Sequence, residues 1–171
     1  LDILQEQFAA YVDQYVLSGG TAATLTMEEA GLEFRATKDL DIVLHVEALT
    51  PAFGEAFWKF VGDGGYEIRQ ARDTGKPIFY RFQKPADARY PAMVELFARP
   101  PHGLQPADGS QLTPIPLDEA VSSLSAILLD EVYYAFIMAG RREVDGLPWV
   151  GEDRLIPLKA IAWLELTARK E

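Results

Sequence analysis

Cysteine is absent from the 171 residues, histidine occurs twice, and no apolar run approaches bilayer length. Without cysteine there is no disulfide framework, no thiol nucleophile and no Cys-based metal site, although nothing follows about compartment. The two histidines, His45 and His102, stand too far apart in sequence to show ligand spacing. A membrane-spanning helix needs about 18 consecutive apolar residues, so no membrane partner is expected. The N-terminus lacks a basic-then-apolar export signal, and a cytoplasmic location is the default expectation. The chain opens on Leu1 without an initiator Met, which suggests that it is incomplete at its start. Basic residues are the other shortage: 16 Lys and Arg face 26 Asp and Glu, for a formal net charge of −10. Affinity for a phosphate backbone comes from clustered Lys and Arg. A broad nonspecific nucleic-acid surface is therefore not expected, and a DNA-binding regulator with a basic helix is disfavoured.

What is present fits one globular unit, with 49% apolar and 25% charged residues in a chain of ordinary domain length. The reading is a single domain over 1–171, with its core in 15–98, a Pro-rich loop over 99–116, and C-terminal strands and a helix over 117–171. Residues 1–13 place Leu1, Leu4, Phe8 and Tyr11 at helical spacing. Thr50 and Pro51 open a second helix running to about residue 61, stopped by Gly62-Asp63-Gly64-Gly65. Residues 66–71 and 78–83 read as paired strands, and 91–97 as a further strand. Pro100, Pro101, Pro106, Gly109, Pro114 and Pro116 mark 99–116 as a long surface loop. A strand over 122–129, a helix over 130–138, a hairpin at Asp145-Gly146 and a helix from about Pro157 complete the chain. Phe57, Trp58, Phe60 and Trp163 suit core packing, whereas Tyr80 or Phe82 could stack on a nucleobase. Strands flanked by helices in this order give an α/β or α+β fold with a mixed sheet.

The chemistry concentrates in residues 17–44. Tyr15-Val16-Leu17 reads as a buried strand, stopped by a turn at Ser18-Gly19-Gly20 before a helix over 21–30. Glycines leave backbone N–H groups unhindered, and a helix N-terminus attracts phosphate; the hydroxyls of Ser18 and Thr21 add donors. A strand then begins at Asp39, so Asp39 and Asp41 share one face while Leu40 and Ile42 share the other. At ~3.3 Å per residue the two acids stand ~6.6 Å apart, close enough to converge on one cation or a pair. A solvated edge strand is the plain alternative, and the Gly-Gly loop tips the balance toward a metal site. Glu95, between Val94 and Leu96, is either an outward position on an alternating strand or a third acid. Arg35 and Lys38 flank the aspartates, and Lys159 sits among Leu155, Leu158 and Ala162. The Walker pattern is absent because Gly75-Lys76 runs into Pro77, and no third glycine completes a Rossmann fingerprint.

Gly19-Gly20 followed by a helix, a strand-borne Asp39-x-Asp41 and a later strand acid resembles the signature of the polymerase-beta-like nucleotidyltransferases. The flanking Arg35-Ala-Thr-Lys-Asp-Leu-Asp is similar to the branch containing the AbiE abortive-infection toxins. The resemblance covers residues 15–97 and, more loosely, the helix around Lys159. It implies that fold, and transfer of a nucleoside monophosphate from an NTP to a hydroxyl with two Mg2+ ions. Asp39 and Asp41 would hold both metals, with Glu95 on the catalytic one. Ser18, Gly19, Gly20, Thr21, Arg35, Lys38 and Lys159 would hold the nucleotide. The acceptor could be a tRNA end, a protein hydroxyl or a small molecule. The chain stops soon after Lys159, where the resembled toxins continue into helices. The alternative expectation is therefore a non-catalytic nucleotide- or partner-binding module on the same scaffold.

Overall fold

The computed structural model describes residues 1–34, 37–70, 77–102, 112–115, 117 and 124–168. The chain runs through α1 (Asp2–Phe8), a 3-10 turn (Ala9–Tyr11), β1 (Tyr15–Ser18), α2 (Gly19–Glu29), β2 (Asp39–Leu44) and α3 (Pro51–Gly64). It continues with β3 (Glu67–Gln70), β4 (Pro77–Gln83), β5 (Met93–Ala98), β6 (Leu112–Pro114) and β7 (Ser125–Leu128). The C-terminal part holds α4 (Glu131–Ala139), β8 (Arg141–Val144), β9 (Leu147–Val150) and α5 (Glu152–Ala168).

Seven strands lie side by side in the order β3-β4-β5-β2-β1-β9-β8, while β7 pairs with both β5 and β6. The sheet is mixed: β2 runs parallel to β5, and β1 antiparallel to β2. Alternation along β2 and β5 sends Leu40, Ile42, Leu44, Val94 and Leu96 to one face, where they pack with α1 and α3. Phe8 centres this layer, with ring centroids 5.5, 6.3 and 5.7 Å from Phe53, Phe57 and Phe60. Those are the separations of favourable tilted and edge-to-face pairs. On the opposite face Val16 of β1 and Val43 of β2 meet Tyr134 and Ile137 of α4 and Leu158 of α5. Helices thus flank a mixed α/β sheet. Among the described residues no helix is long and apolar enough to cross a membrane.

Local signals explain most boundaries. The Thr50 hydroxyl accepts from the Phe53 amide at 3.3 Å to cap α3, and Gly65 at φ 61° ends it in the left-handed region. The helix therefore passes through Gly62 and stops three residues beyond the expected end. Asp130 caps α4 through the Tyr133 amide at 2.9 Å. Asp145 and Gly146, both at positive φ, form the two-residue turn between β8 and β9.

Five expectations are corrected. The helix of the Gly-Gly segment starts at Gly19 rather than Thr21, so both glycines are helical residues. The stretch 99–116 is not simply a surface loop: β6 lies in it, and Arg99, Thr113 and Ile115 are buried. Arg99 ion-pairs with Glu47 and lies 5.4 Å over the Tyr134 ring, which ties the ends of β2 and β5 to α4. The last helix begins at Glu152, where the Gly151 carbonyl accepts from the Arg154 and Leu155 amides, and Pro157 lies inside it. Trp163 is 65% exposed and not a core residue: among the described side chains of α5 only Leu155 and Leu158, both in its first half, are buried. Phe82 is fully buried and cannot stack on a ligand.

Candidate functional site

The sheet face toward α4 and α5 carries one polar row beside its apolar cluster. Ser18 of β1 stands opposite Asp41 of β2, Asp41 opposite Glu95 of β5, and Glu95 opposite Arg81 of β4. Neighbouring strands lie ~4.8 Å apart, so each residue of the row has the next one directly across the ladder. Asp39 lies one pleat away from Asp41 on the same face, opposite Met93.

Sheet order creates this row from segments far apart in sequence. The hydrophobic partners Leu40, Ile42, Val94 and Leu96 must all face α1 and α3, and a shift of one residue would expose them. Burying that layer therefore forces Asp39, Asp41 and Glu95 onto the other face.

The Asp41 carboxyl is pushed up to about 6, first by burial and then by the negative charges of Glu95 and Asp39, with Lys159 opposing. Among the described residues neither Asp39 nor Asp41 has a side-chain hydrogen-bond donor or ion-pair partner. Glu95 differs, because Arg81 holds its Oε1 through both Nε and Nη2. The pair leaves the second Glu95 oxygen open.

The start of α2 closes the row at Asp41. Gly19 has φ 59°, and a Cβ built on it would run into the Asp41 carboxylate. Glycine is required twice over, by the backbone and by the approach of the acid. A Cβ on Gly20 would stand 3.0 Å from the Thr37 side chain. Ser18 is the N-terminal flanking residue of α2, yet its hydroxyl caps no helix amide. Ser18, Gly19 and Asp41 share a small cavity of about 130 Å³ with Tyr133, Ile137 and Leu158. Asp39 lines a different cavity, of about 370 Å³, together with Lys38, Thr21 and Thr37.

Nine of the expected site residues therefore lie around the start of β2: Ser18, Gly19, Gly20, Thr21, Lys38, Asp39, Asp41, Glu95 and Lys159. Lys159, exposed on α5, acts on Asp41 through its charge. The hydroxyl of Thr21 is spent on the Asp39 carbonyl at 2.9 Å, which removes it as a phosphate donor. Lys38 faces the larger cavity. Arg35 lies outside the described residues. Arg81 was not singled out from sequence. Its partner is 14 residues away across a strand pair, a distance that only register can bridge.

Magnesium prefers hard oxygen ligands, and two unpartnered carboxylates beside a third supply the right donor type. Among the described residues no three acidic or imidazole groups are yet gathered as a ready-made metal site. Glu95 could join only through the oxygen that Arg81 leaves open. No protein family, curated protein or solved structure matches the chain.

Proposed function

We propose that the protein is a magnesium-dependent nucleotidyltransferase of the polymerase-beta-like kind. One observation carries the reading: a glycine-started helix abuts a half-buried aspartate that stands in register with a second acid and next to a third. Phosphate cradle and metal carboxylates thus adjoin each other.

Asp39 and Asp41 would hold Mg2+, with Glu95 contributing its open oxygen. When bound, the ions would neutralise triphosphate charge and polarise the α-phosphate. The chain itself does the rest. The first amides of α2, at Gly19 and Gly20, donate to the β- and γ-phosphates, aided by the positive end of the helix. The uncommitted Ser18 hydroxyl adds a donor there. Lys159 offsets negative charge at Asp41. An acceptor hydroxyl attacks the α-phosphorus: the new P–O bond forms, the bond to pyrophosphate breaks, and the proton passes to the open Glu95 oxygen.

The Arg81 pair favours a second reading, a non-catalytic nucleotide-binding module, because a clamped Glu95 is a poorer base and ligand. One experiment separates them. Labelled NTP with Mg2+ is incubated with cell extract, and calorimetry with a non-hydrolysable NTP runs in parallel on the parent and Glu95→Gln. The enzyme reading expects transfer by the parent, with transfer by Glu95→Gln reduced by orders of magnitude while nucleotide still binds. Binding without transfer in the parent leaves only the module. Parental transfer by Glu95→Gln removes the residue from catalysis.

A further inference from the structure

The cavity of about 370 Å³ at Asp39 lies within the size range of small-molecule sites, roughly 300–1,000 Å³. Its wall has an unusual hydrogen-bonding character. Thr21 and Thr24, one turn apart on α2, are 4% and 7% exposed. The Thr21 hydroxyl donates to the Asp39 carbonyl at 2.9 Å, and the Thr24 hydroxyl to the Gly20 carbonyl at 3.1 Å. Thr37 is also held in the backbone, accepting from the Asp39 amide at 3.3 Å. A hydroxyl has one proton and two lone pairs, so with those protons committed Thr21 and Thr24 face the cavity as acceptors. The Asp39 carboxylate adds two more acceptor oxygens. Arg89 at the rim gives its Nε–H and one Nη2–H to the Asp87 carboxylate and keeps its other N–H groups. Tyr90 and Pro91 supply an apolar wall.

Lys38 on the same wall brings an ammonium with three donors. An occupant that satisfies this wall must therefore donate to Thr21, Thr24 and Asp39 and accept from Lys38, on a compact carbon skeleton. Each hydroxyl of a polyol does both, whatever its position on the ring, and the C–H surface of the molecule lies on the apolar wall. Asp39 belongs both to this cavity and to the acidic face of β2, so an occupant here extends toward the proposed reaction centre.

We infer that this cavity is the acceptor subsite and that it takes a polyhydroxylated molecule of monosaccharide size, one hydroxyl of which reaches past Asp39 to the carboxylate row. The assignment rests on the nucleotidyltransferase reading for its chemistry, though not for its binding. The step is the one already written: the polyol oxygen forms the bond to the α-phosphorus, pyrophosphate departs, and the hydroxyl proton passes to the row. Lys38, beside Asp39, leaves room for an anionic substituent on the sugar.

Saturation-transfer NMR on the full chain tests it without nucleotide, using myo-inositol, D-galactose and D-glucose 6-phosphate as probes. Tetrahydropyran, the same ring size without hydroxyls, is the control. At least one polyol is expected to bind saturably, and tetrahydropyran is not. Thr24→Val should weaken that polyol about fivefold, the loss of one hydrogen bond at ~1 kcal/mol. Ala92→Trp and Ala88→Trp, both at exposed lining positions, should fill the cavity and abolish binding. Failure of all three polyols, or unchanged affinity in both tryptophan variants, overturns the assignment. Titration of Mg2+ and a non-hydrolysable NTP into the parent and Asp41→Asn reports on the nucleotide reading alone. Polyol binding with no nucleotide binding would sink the transfer chemistry and the acceptor role while leaving the cavity's ligand class. Nucleotide binding with no polyol would sink the cavity assignment only.

Discussion

Asp41→Asn keeps the shape of a side chain that the native state holds at an electrostatic cost. Its carboxyl rises from 3.8 to about 6 on folding. At ~1.4 kcal/mol per tenfold change in proton affinity, that corresponds to about 3 kcal/mol against the ionised native state. Asp41 is only partly buried, and screening by solvent reduces the figure to about 1.5 kcal/mol. The native state binds the proton more tightly than the unfolded chain. The parent therefore loses stability as pH climbs from about 4 to about 6, and the loss persists above that. Asparagine cannot ionise and escapes it. At ~2–4 °C per kcal/mol for a chain of this size, Asp41→Asn should melt about 3–6 °C above the parent at pH 8 in EDTA. The two curves should converge near pH 4. Excess Mg2+ should reverse the order, since a ligand at 100 times its Kd adds ~2.7 kcal/mol to the state that binds it. Differential scanning fluorimetry across pH 4–8, with and without metal, reads all three effects. An Asn variant no more stable than the parent at pH 8 would mean that the carboxylate is not under the strain described. An equal metal response in both would place the cation elsewhere.

Two further perturbations address the neighbours of Asp41. Gly19→Ala forces a Cβ into the Asp41 carboxylate at a positive φ; it should cost about 1–3 kcal/mol of stability and abolish NTP binding, and a variant that melts and titrates like the parent would make the glycine incidental. Arg81→Met frees Glu95; losing the positive charge beside it should strengthen Mg2+ binding about fivefold by calorimetry, on the ~1 kcal/mol scale of a close unit-charge interaction in water, whereas unchanged or weaker affinity would put Glu95 outside the metal's reach.

The readable parts of this chain are those governed by local rules. Alternation in Asp39-Leu40-Asp41-Ile42 is enough to put two carboxylates on one strand face, because a strand has a period of two. Thr50-Pro51 and Asp145-Gly146 name a helix start and a turn through their own backbone preferences. Where local signals conflict, the tertiary structure decides. Gly19-Gly20 reads as a turn, yet the left-handed φ of Gly19 lets α2 begin two residues early and lie directly against Asp41. The aromatic Trp163 reads as core, but it lies in α5 beyond the buried Leu155 and Leu158 and is exposed.

Sequence alone determined that Asp39 and Asp41 face one way and that a glycine pair lies where a helix starts nearby; both follow from local backbone preferences. Only the tertiary structure decided which segments lie beside them. The parallel pairing of β2 with β5 sets Glu95 against Asp41, and the antiparallel pairing of β5 with β4 sets Arg81 against Glu95. Those registers arise from burying Leu40, Ile42, Val94, Leu96 and Phe82 in one apolar layer, a constraint shared by strands up to some fifty residues apart. No local propensity encodes such a constraint, and it is why a paired Glu95 and the cavity at Asp39 come into view only once the sheet is assembled.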